Sequence, residues 1–283
     1  MPELPEVETI ARTLSPQILD RRILSLELLR KKTLQAGHAW LPRLQGARIS
    51  RVHRRAKLLL LDLDLPPDAP LPRLCLLFHL KMTGSFFVHP AGAAALKHTR
   101  IIFDLDGSPG SRLFFDDIRT FGYCRIAPPE SLPDWPFWKS LGPEPLLCPI
   151  PTLARRFLGR AAAIKAVLLN QTVIAGIGNI YADEALFQAG IHPATKASRL
   201  PFPALESLAR SLQDILIRAI AQCGSSIRDY RDALGNAGAF QNTFAVYGRK
   251  GQACIRCGVP LLQTRIAGRT TVYCPRCQPE TSA

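Results

Sequence analysis

Apolar positions change their period twice along this 283-residue chain. Near the start Leu4, Val7, Ile10, Ala11 and Leu14 recur at three-to-four spacing, which predicts a short helix with Pro5 in its first turn and Pro16 discouraging continuation. From about Arg22 to Ile126 the period shortens to that of strands. "LDLDL" at Leu61–Leu65 alternates, "RIIFDLDG" puts Ile101, Phe103 and Leu105 on one face, and "RLFFDD" and "GYCRI" follow. Short strands between Pro- and Gly-rich turns predict a β-sandwich or barrel. The proline-dense stretch from Ala127 to Pro151 is unsuited to regular helix or central strand. Beyond it the period is helical. Leu205, Leu208, Leu212, Ile215, Leu216 and Ala219 form one stripe, and Ala161–Asn170 and Asn179–Ala189 are two further predicted helices, the second stopped by Gly190. From about Ala239 the pattern is short-stranded again. The expected organisation is a sandwich domain over 1–130, a linker over 131–151, a helical domain over 152–238 and a terminal segment over 239–283, without internal repeats.

Charge narrows the choice of partner. Thirty-six Lys and Arg against 22 Asp and Glu give a net charge of +14, an excess that attracts polyanions. No stretch approaches the roughly 20 apolar residues of a membrane span, and the tip has neither a basic leader nor an apolar run. The expectation is a cytosolic chain that binds nucleic acid, with DNA and RNA undistinguished by charge.

Eight cysteines fall into two groups. Cys75, Cys124, Cys148 and Cys223 are scattered singly, where a free thiol acts as a small hydrophobe. The other four form "CIRC" and "CPRC", Cys254-x2-Cys257 and Cys274-x2-Cys277. Each pair places two thiolates on one metal from a tight turn, Gly258 helping the first to close, and the residues between suit a hairpin. A closed four-sulfur site points to structural zinc rather than catalysis. Arg249, Lys250, Arg256, Arg265, Arg269 and Arg276 crowd this hairpin and suit it to gripping phosphates.

Three further stretches carry candidate chemistry. "AGIGNIYADEAL" sets Gly176 and Gly178 before a helix starting near Asn179, a turn that offers amides to an anion, with Asn179 as a possible N-cap. "DDIRTFG" and "HLKMTG" put Arg119, Phe121 and Met82 in strand loops, where each is either core filler or a wedge for unstacking bases. The third is the tip, "MPELPEVETI". Removal of Met1 would leave Pro2 with a secondary amine, which titrates roughly two to three units below lysine and is more nucleophilic near neutrality. Its attack on C1′ of a deoxyribose with loss of the base gives an iminium ion that acidifies C2′ and permits loss of the 3′ phosphate. Glu3, adjacent to it, is placed to exchange the protons.

"PELPEVET", "RRAK" at Arg54–Lys57, "GPEPL" at Gly142–Leu146, "GIGNIYADEALF" and the four-cysteine end, in this order, resemble the formamidopyrimidine-DNA glycosylase family, bacterial repair enzymes that act on oxidised purines. The resemblance implies an α+β multidomain fold: an N-terminal β-sandwich with a short N-terminal helix, a helix–two-turn–helix domain and a zinc-finger β-hairpin. It implies glycosylase and abasic-site lyase activity on double-stranded DNA containing oxidised bases or abasic sites, one structural Zn2+, and a monomer in the bacterial cytoplasm, associated with the nucleoid. Carried over residue by residue, Pro2 is the Schiff-base nucleophile, Glu3 the general acid/base and Glu6 a supporting carboxylate. Lys57 donates the proton for β-elimination and Arg269 is assigned to δ-elimination. His98, Arg119, Arg160, Lys165 and Asn179 hold DNA, while Met82, Arg119 and Phe121 fill the gap left by a flipped nucleotide. The stretch Ser225–Tyr247 is the expected loop against the flipped purine.

Two positions depart from the common pattern. Lys81 stands where a glycine is usual, and Thr120 where many members have a second basic residue. Three rival readings remain at this level. An endonuclease VIII-like enzyme for oxidised pyrimidines is disfavoured by "PELPEVET" in place of "PEGPE". A DNA-binding protein without chemistry is disfavoured by the retained Pro2, Glu3 and Lys57. An RNA-binding zinc ribbon leaves the tip and the glycine turn unexplained.

Overall fold

A computed structural model describes residues 1–280 apart from Ser108 and Arg228. The chain divides into two compact units, Met1–Lys139 with Cys223–Ala239, and Ser140–Gln222 with Phe240–Ala283. The segment after residue 222 therefore returns to the first unit before the chain re-enters the second.

The first unit begins with α1 (Leu4–Ile18), which runs past Pro16. Pro16 lies in the last turn, where it forfeits only its own N–H bond, and Leu14 and Ile18, fully buried at i,i+4 spacing, hold that turn down. Nine strands follow: β1 (Ile23–Leu28), β2 (Leu34–Ala36), β3 (Arg48–Arg55), β4 (Leu58–Asp64), β5 (Arg73–His79), β6 (Gly84–Pro90), β7 (Thr99–Leu105), β8 (Ser111–Asp117) and β9 (Tyr123–Ala127). They form two sheets, β1-β7-β8-β6 and β2-β9-β5-β4-β3, antiparallel except where β2 meets β9. The sheets share one core in which α1 takes part. Phe78 of one sheet packs against Phe86 and Phe115 of the other, with ring centroids 4.8 and 5.3 Å apart. The architecture is thus a sandwich, and Ile101, Phe103 and Leu105 all point into it.

The run "LLLL" in β4 has a different cause from the alternation after it. Leu59, Leu61 and Leu63 face the shared core, while Leu58 and Leu60 join Cys75 and Leu77 in a second cluster on the outer face. That face is covered by Leu132, Trp135, Phe137 and Trp138. The proline-dense stretch is thus a lid as well as a connection. It contains a one-turn helix, α2 (Pro136–Ser140), which departs from the expectation of no helix there. Proline at the first position of a helix costs no hydrogen bond.

The second unit holds α3 (Ile150–Phe157), α4 (Ile164–Leu169), α5 (Asn179–Ala189), α6 (Phe202–Ala221) and the hairpin β10 (Leu262–Ile266) and β11 (Arg269–Tyr273). The helix α3 starts inside the last residues of the expected linker, with Pro149 as its N-cap and Pro151 in its first turn. Gly190 closes α5 in the left-handed region at φ 70°, its N–H reaching back to Leu186 and Phe187. Both α3 and α5 pack on α6, and β11 lies on α5. Among the described residues, no helix is long and apolar enough to cross a membrane.

Candidate active site

The tip is held by reciprocal bonds. Glu3 caps α1: its side chain accepts the Glu6 backbone N–H, while Oε2 of Glu6 accepts the Glu3 N–H at 2.8 Å. Oε1 of the same Glu6 carboxylate accepts the Ser225 N–H at 2.8 Å. Pro2, Glu3 and Glu6 are all buried. Gly224 makes the Ser225 contact possible. It sits at φ +76°, and a Cβ there would lie 2.9 Å from Oε1 of Glu6. Gly238 is constrained in turn, since its Cβ would meet the Gly224 carbonyl at 2.2 Å, and its N–H donates to Ser226 Oγ. The Tyr230 hydroxyl donates to the Cys223 carbonyl at 3.2 Å. A glutamate in the first turn of α1 thereby ties the tip to the segment 223–239.

Lys57 occupies the two-residue turn between β3 and β4, after Ala56 at φ 53°, and is buried to 7% exposure. Arg54 fixes that turn to α1. Its Nη1 donates to the Ala56 carbonyl at 3.2 Å and its Nε to Glu8 Oε2 at 3.0 Å. Burial pushes the Glu8 carboxyl up, but Arg12 and Arg54 outweigh this and leave it below its ordinary value. The first arginine of "RRAK" thus positions the lysine. Beside Leu58, His79 accepts the Lys81 N–H at Nδ1 (3.0 Å). Burial, reinforced by the charges of Lys81 and Lys57, drives its imidazole down to about 3, so it stays neutral.

The three wedge candidates lie outside the core: Met82 is 40% and Phe121 53% exposed, and the Arg119 guanidinium stands 4.9 Å from the Phe121 ring centroid. Buried Asp117 joins their loops. It accepts the Thr83 hydroxyl at Oδ1 and the Gly122 N–H at Oδ2 (2.7 Å), and Thr83 Oγ1 accepts the Arg119 N–H at 2.9 Å. Both departures from the family pattern are strained positions, Lys81 at φ 52° and Thr120 at φ 58°. The usual glycine at position 81 has its reason here, since a left-handed residue costs roughly 1–2 kcal/mol when it bears a Cβ. His98 is half-buried immediately before β7, its carbonyl accepting the Asp117 N–H.

In the second unit the N-cap of α5 is Gly178, and Asn179 is its first helical residue. The capping alternative for Asn179 therefore fails: its Nδ2 donates to the Thr270 carbonyl at 2.9 Å. Gln171 staples the glycine turn, accepting from Gly176 and donating to Ile177 and Leu169. Arg160 and Arg269 are exposed, Arg269 beside the hairpin turn of Ala267 and Gly268 at φ 48° and 71°. Lys165 is different. It is fully buried and ion-paired to Asp183 at 2.6 Å, so its ammonium faces protein.

Composition and period left the acidic pair Asp183-Glu184 unassigned. Both are 2% exposed. Glu184 accepts the N–H groups of Ala245, Val246 and Tyr247 at 2.8–3.0 Å, holding the start of the terminal segment. The available signal was two adjacent carboxylates in a helix apolar on every side, "IYADEALF", which must find buried donors.

Cys254, Cys257, Cys274 and Cys277 bring their sulfurs within 4.8 Å of one another, a cluster that can hold a metal ion. The turn amides of Arg256 and Cys277 point at Cys254 and Cys274 sulfurs at 3.4 and 3.3 Å. Burial and the neighbouring sulfurs push the Cys277 thiol up to about 12. As four thiolates they would need a cation to offset their charge, and the donor set fits one that is divalent and thiophilic.

Three family models cover this architecture: the formamidopyrimidine-DNA glycosylase N-terminal domain over residues 1–124, its H2TH domain over 141–231, and a zinc finger found in FPG and IleRS over 251–279. The chain is 42% identical to a formamidopyrimidine-DNA glycosylase of Nitratidesulfovibrio vulgaris across 98% of this chain and all of that one. It is also 42% identical to that of Chloroflexus aggregans across 98% of each. Among solved structures it is similar to a Lactococcus lactis FPG mutant bound to a Fapy-dG containing DNA, with a TM-score of 0.88, 33% identity, and coverage of 99% of this chain and all of that one. The Lactococcus lactis enzyme with an abasic site containing DNA gives a TM-score of 0.87 at the same identity, over 98% of this chain and all of that one. Sandwich, helical unit and four-cysteine hairpin define a bifunctional DNA glycosylase and abasic-site lyase. The chain belongs to the formamidopyrimidine-DNA glycosylase family.

Proposed function

We propose that this chain removes oxidised purines, 8-oxoguanine and formamidopyrimidines, from double-stranded DNA and cuts the strand through a Schiff base on Pro2. The observation that carries the reading is the enclosed tip, where Pro2 precedes a capping glutamate whose own N–H is held by Glu6. With Met1 removed, the Pro2 nitrogen attacks C1′ and gives up its proton to the departing base as the C1′–base bond breaks, and the sugar ring opens as O4′ takes a proton from Glu3. The iminium that results acidifies C2′–H. Loss of that proton expels the 3′ phosphate, and loss of the C4′ proton then expels the 5′ phosphate. Lys57, on a turn anchored to α1 by Arg54, supplies the proton for the first elimination. Arg269 grips phosphate for the second.

Met82, Arg119 and Phe121 enter the stack vacated by the flipped nucleotide, and their exposure and shared Asp117 support that role. His98, Arg160 and Asn179 bind phosphates, whereas Lys165, enclosed and paired to Asp183, supports β11 through its bonds to Thr270 and Thr271. The four cysteines hold one zinc ion, which supplies structure and no reacting group. The enzyme acts as a monomer in the bacterial cytoplasm, at the nucleoid.

Borohydride trapping tests the reading on two duplexes, one carrying 8-oxoguanine and one an oxidised pyrimidine. A covalent adduct on the first, formed faster than on the second and mapped to Pro2, is expected. An adduct on an internal lysine, or none from Met1-processed protein, would refute it. Preference for the pyrimidine would select the endonuclease VIII-like alternative.

A further inference from the structure

The geometry points to Lys165, Asp183 and Thr271 as a buried clamp that positions Arg269 for the second elimination. Three observations within the second unit converge on β11. Lys165 Nζ is paired to Asp183 Oδ1 at 2.6 Å and donates to Thr271 Oγ1 at 2.7 Å and to the Thr270 carbonyl at 3.1 Å. The Thr271 hydroxyl, its acceptor capacity used by the ammonium, donates to the Arg269 carbonyl at 3.2 Å. The other Asp183 oxygen accepts the Val272 N–H at 3.3 Å, so the backbone on both sides of Thr271 is fixed to one carboxylate–ammonium pair.

The burial argues for positioning. Lys165 and Thr271 have no exposed surface and Asp183 has 2%, whereas Arg269 is exposed. A buried ion pair adds little net stability over a well-packed apolar pair, yet removing one partner is costly. What this pair adds is a directed relay: Lys165, ion-paired to Asp183, donates to the Thr271 hydroxyl, which donates to the Arg269 carbonyl. It ends at the residue beside the left-handed turn of Ala267 and Gly268, at the tip of the β10–β11 pairing. Asn179 adds a second tether at the Thr270 carbonyl. The cysteine cluster anchors the hairpin's far end. The clamp anchors its tip without metal.

This inference rests on the assignment of Arg269 proposed above, and Thr271 separates the two. On an abasic-site duplex, β-elimination alone leaves an unsaturated aldehyde at the 3′ end, whereas β,δ-elimination leaves a 3′ phosphate. Thr271→Val keeps the shape and removes the hydroxyl. Its 3′-phosphate to aldehyde ratio is expected to fall about tenfold or more, as for other small displacements of a catalytic group, with trapping on Pro2 and zinc content retained. Thr271→Ser, which restores the hydroxyl, should recover most of the ratio. An unchanged ratio in Thr271→Val, or equal loss in the Val and Ser variants, overturns the clamp. Should Thr271→Val lose its fold, Asp183→Asn carries the same expectation with the same readouts. A wild-type enzyme that traps DNA but forms no 3′ phosphate would instead sink the assignment of Arg269.

Discussion

Gly224→Ala is the sharpest probe of the link between Glu6 and the segment 223–239. Two effects are superposed at this position. The residue sits at φ +76°, so any Cβ there carries the left-handed penalty, and that Cβ would stand 2.9 Å from Oε1 and 3.0 Å from Cγ of Glu6. Gly235 isolates the first effect: it belongs to the same segment, has φ +84°, and would place its Cβ in open space. Gly235→Ala should therefore cost about 1–2 kcal/mol. Gly224→Ala should cost that and one displaced carboxylate hydrogen bond, worth about 1.5–3 kcal/mol, for a total of about 2.5–5 kcal/mol. The collision cannot be relieved by a rotamer change alone, because Glu6 is held at both oxygens, by Glu3 and Ser225. Urea unfolding of the full chain measures the stability difference, and borohydride trapping at a fixed time measures the tip. The expected result is a trapping rate at least about tenfold lower for Gly224→Ala than for Gly235→Ala, one lost hydrogen bond being worth that factor or more. Indistinguishable variants in both assays would refute the idea that Glu6 couples this segment to the nucleophile.

Other outcomes follow from the same geometry. His79 is neutral when folded and titrates near 3, below its ordinary value of 6.5, so the unfolded chain binds the extra proton between those values. Its contribution to stability is complete above about pH 6.5 and declines by up to about 4–5 kcal/mol as pH falls toward 3. His79→Asn, which can still accept the Lys81 N–H, should flatten this acid limb in unfolding curves, and an unaltered limb would assign it elsewhere. Cys274→Ser, or chelation of the metal, should weaken binding to lesion-containing duplex at least tenfold while the N-terminal sandwich keeps its circular dichroism; full affinity without metal would contradict the role of the finger. Asp117→Ala should loosen the Met82 and Arg119–Phe121 loops together, slowing excision from duplex more than lyase action on an abasic site. Equal slowing of both would place Asp117 in the chemistry instead.

Period and composition made much of this molecule legible. The helix Asn179–Ala189, the sandwich strands and the four-cysteine cluster all follow from local pattern, because apolar spacing reports one buried face and paired cysteines report a shared centre. The tip was legible as chemistry, since adjacency of an N-terminal proline and a carboxylate needs no tertiary information. Arg54, the acidic pair of α5 and Thr271 were not legible. Their meaning lies in partners far along the chain: Glu8 for Arg54, the amides of 245–247 for Glu184, and Lys165 for Thr271 by way of its ammonium.

The departures share one physical origin. Pro16 continues a helix because Ile18 is buried, the leucine run of β4 is unbroken because an aromatic lid covers its second face, and Asn179 donates to a strand rather than capping its helix. Lys165 is the clearest case, a lysine whose type suggests phosphate and whose enclosure directs it to Asp183. The amino-acid order by itself made legible most of the elements, the four clustered thiols and a tip suited to nucleophilic chemistry. Only the tertiary structure decided which charges meet water and which are turned inward, because desolvation depends on what packs around a group and not on what precedes it in the chain.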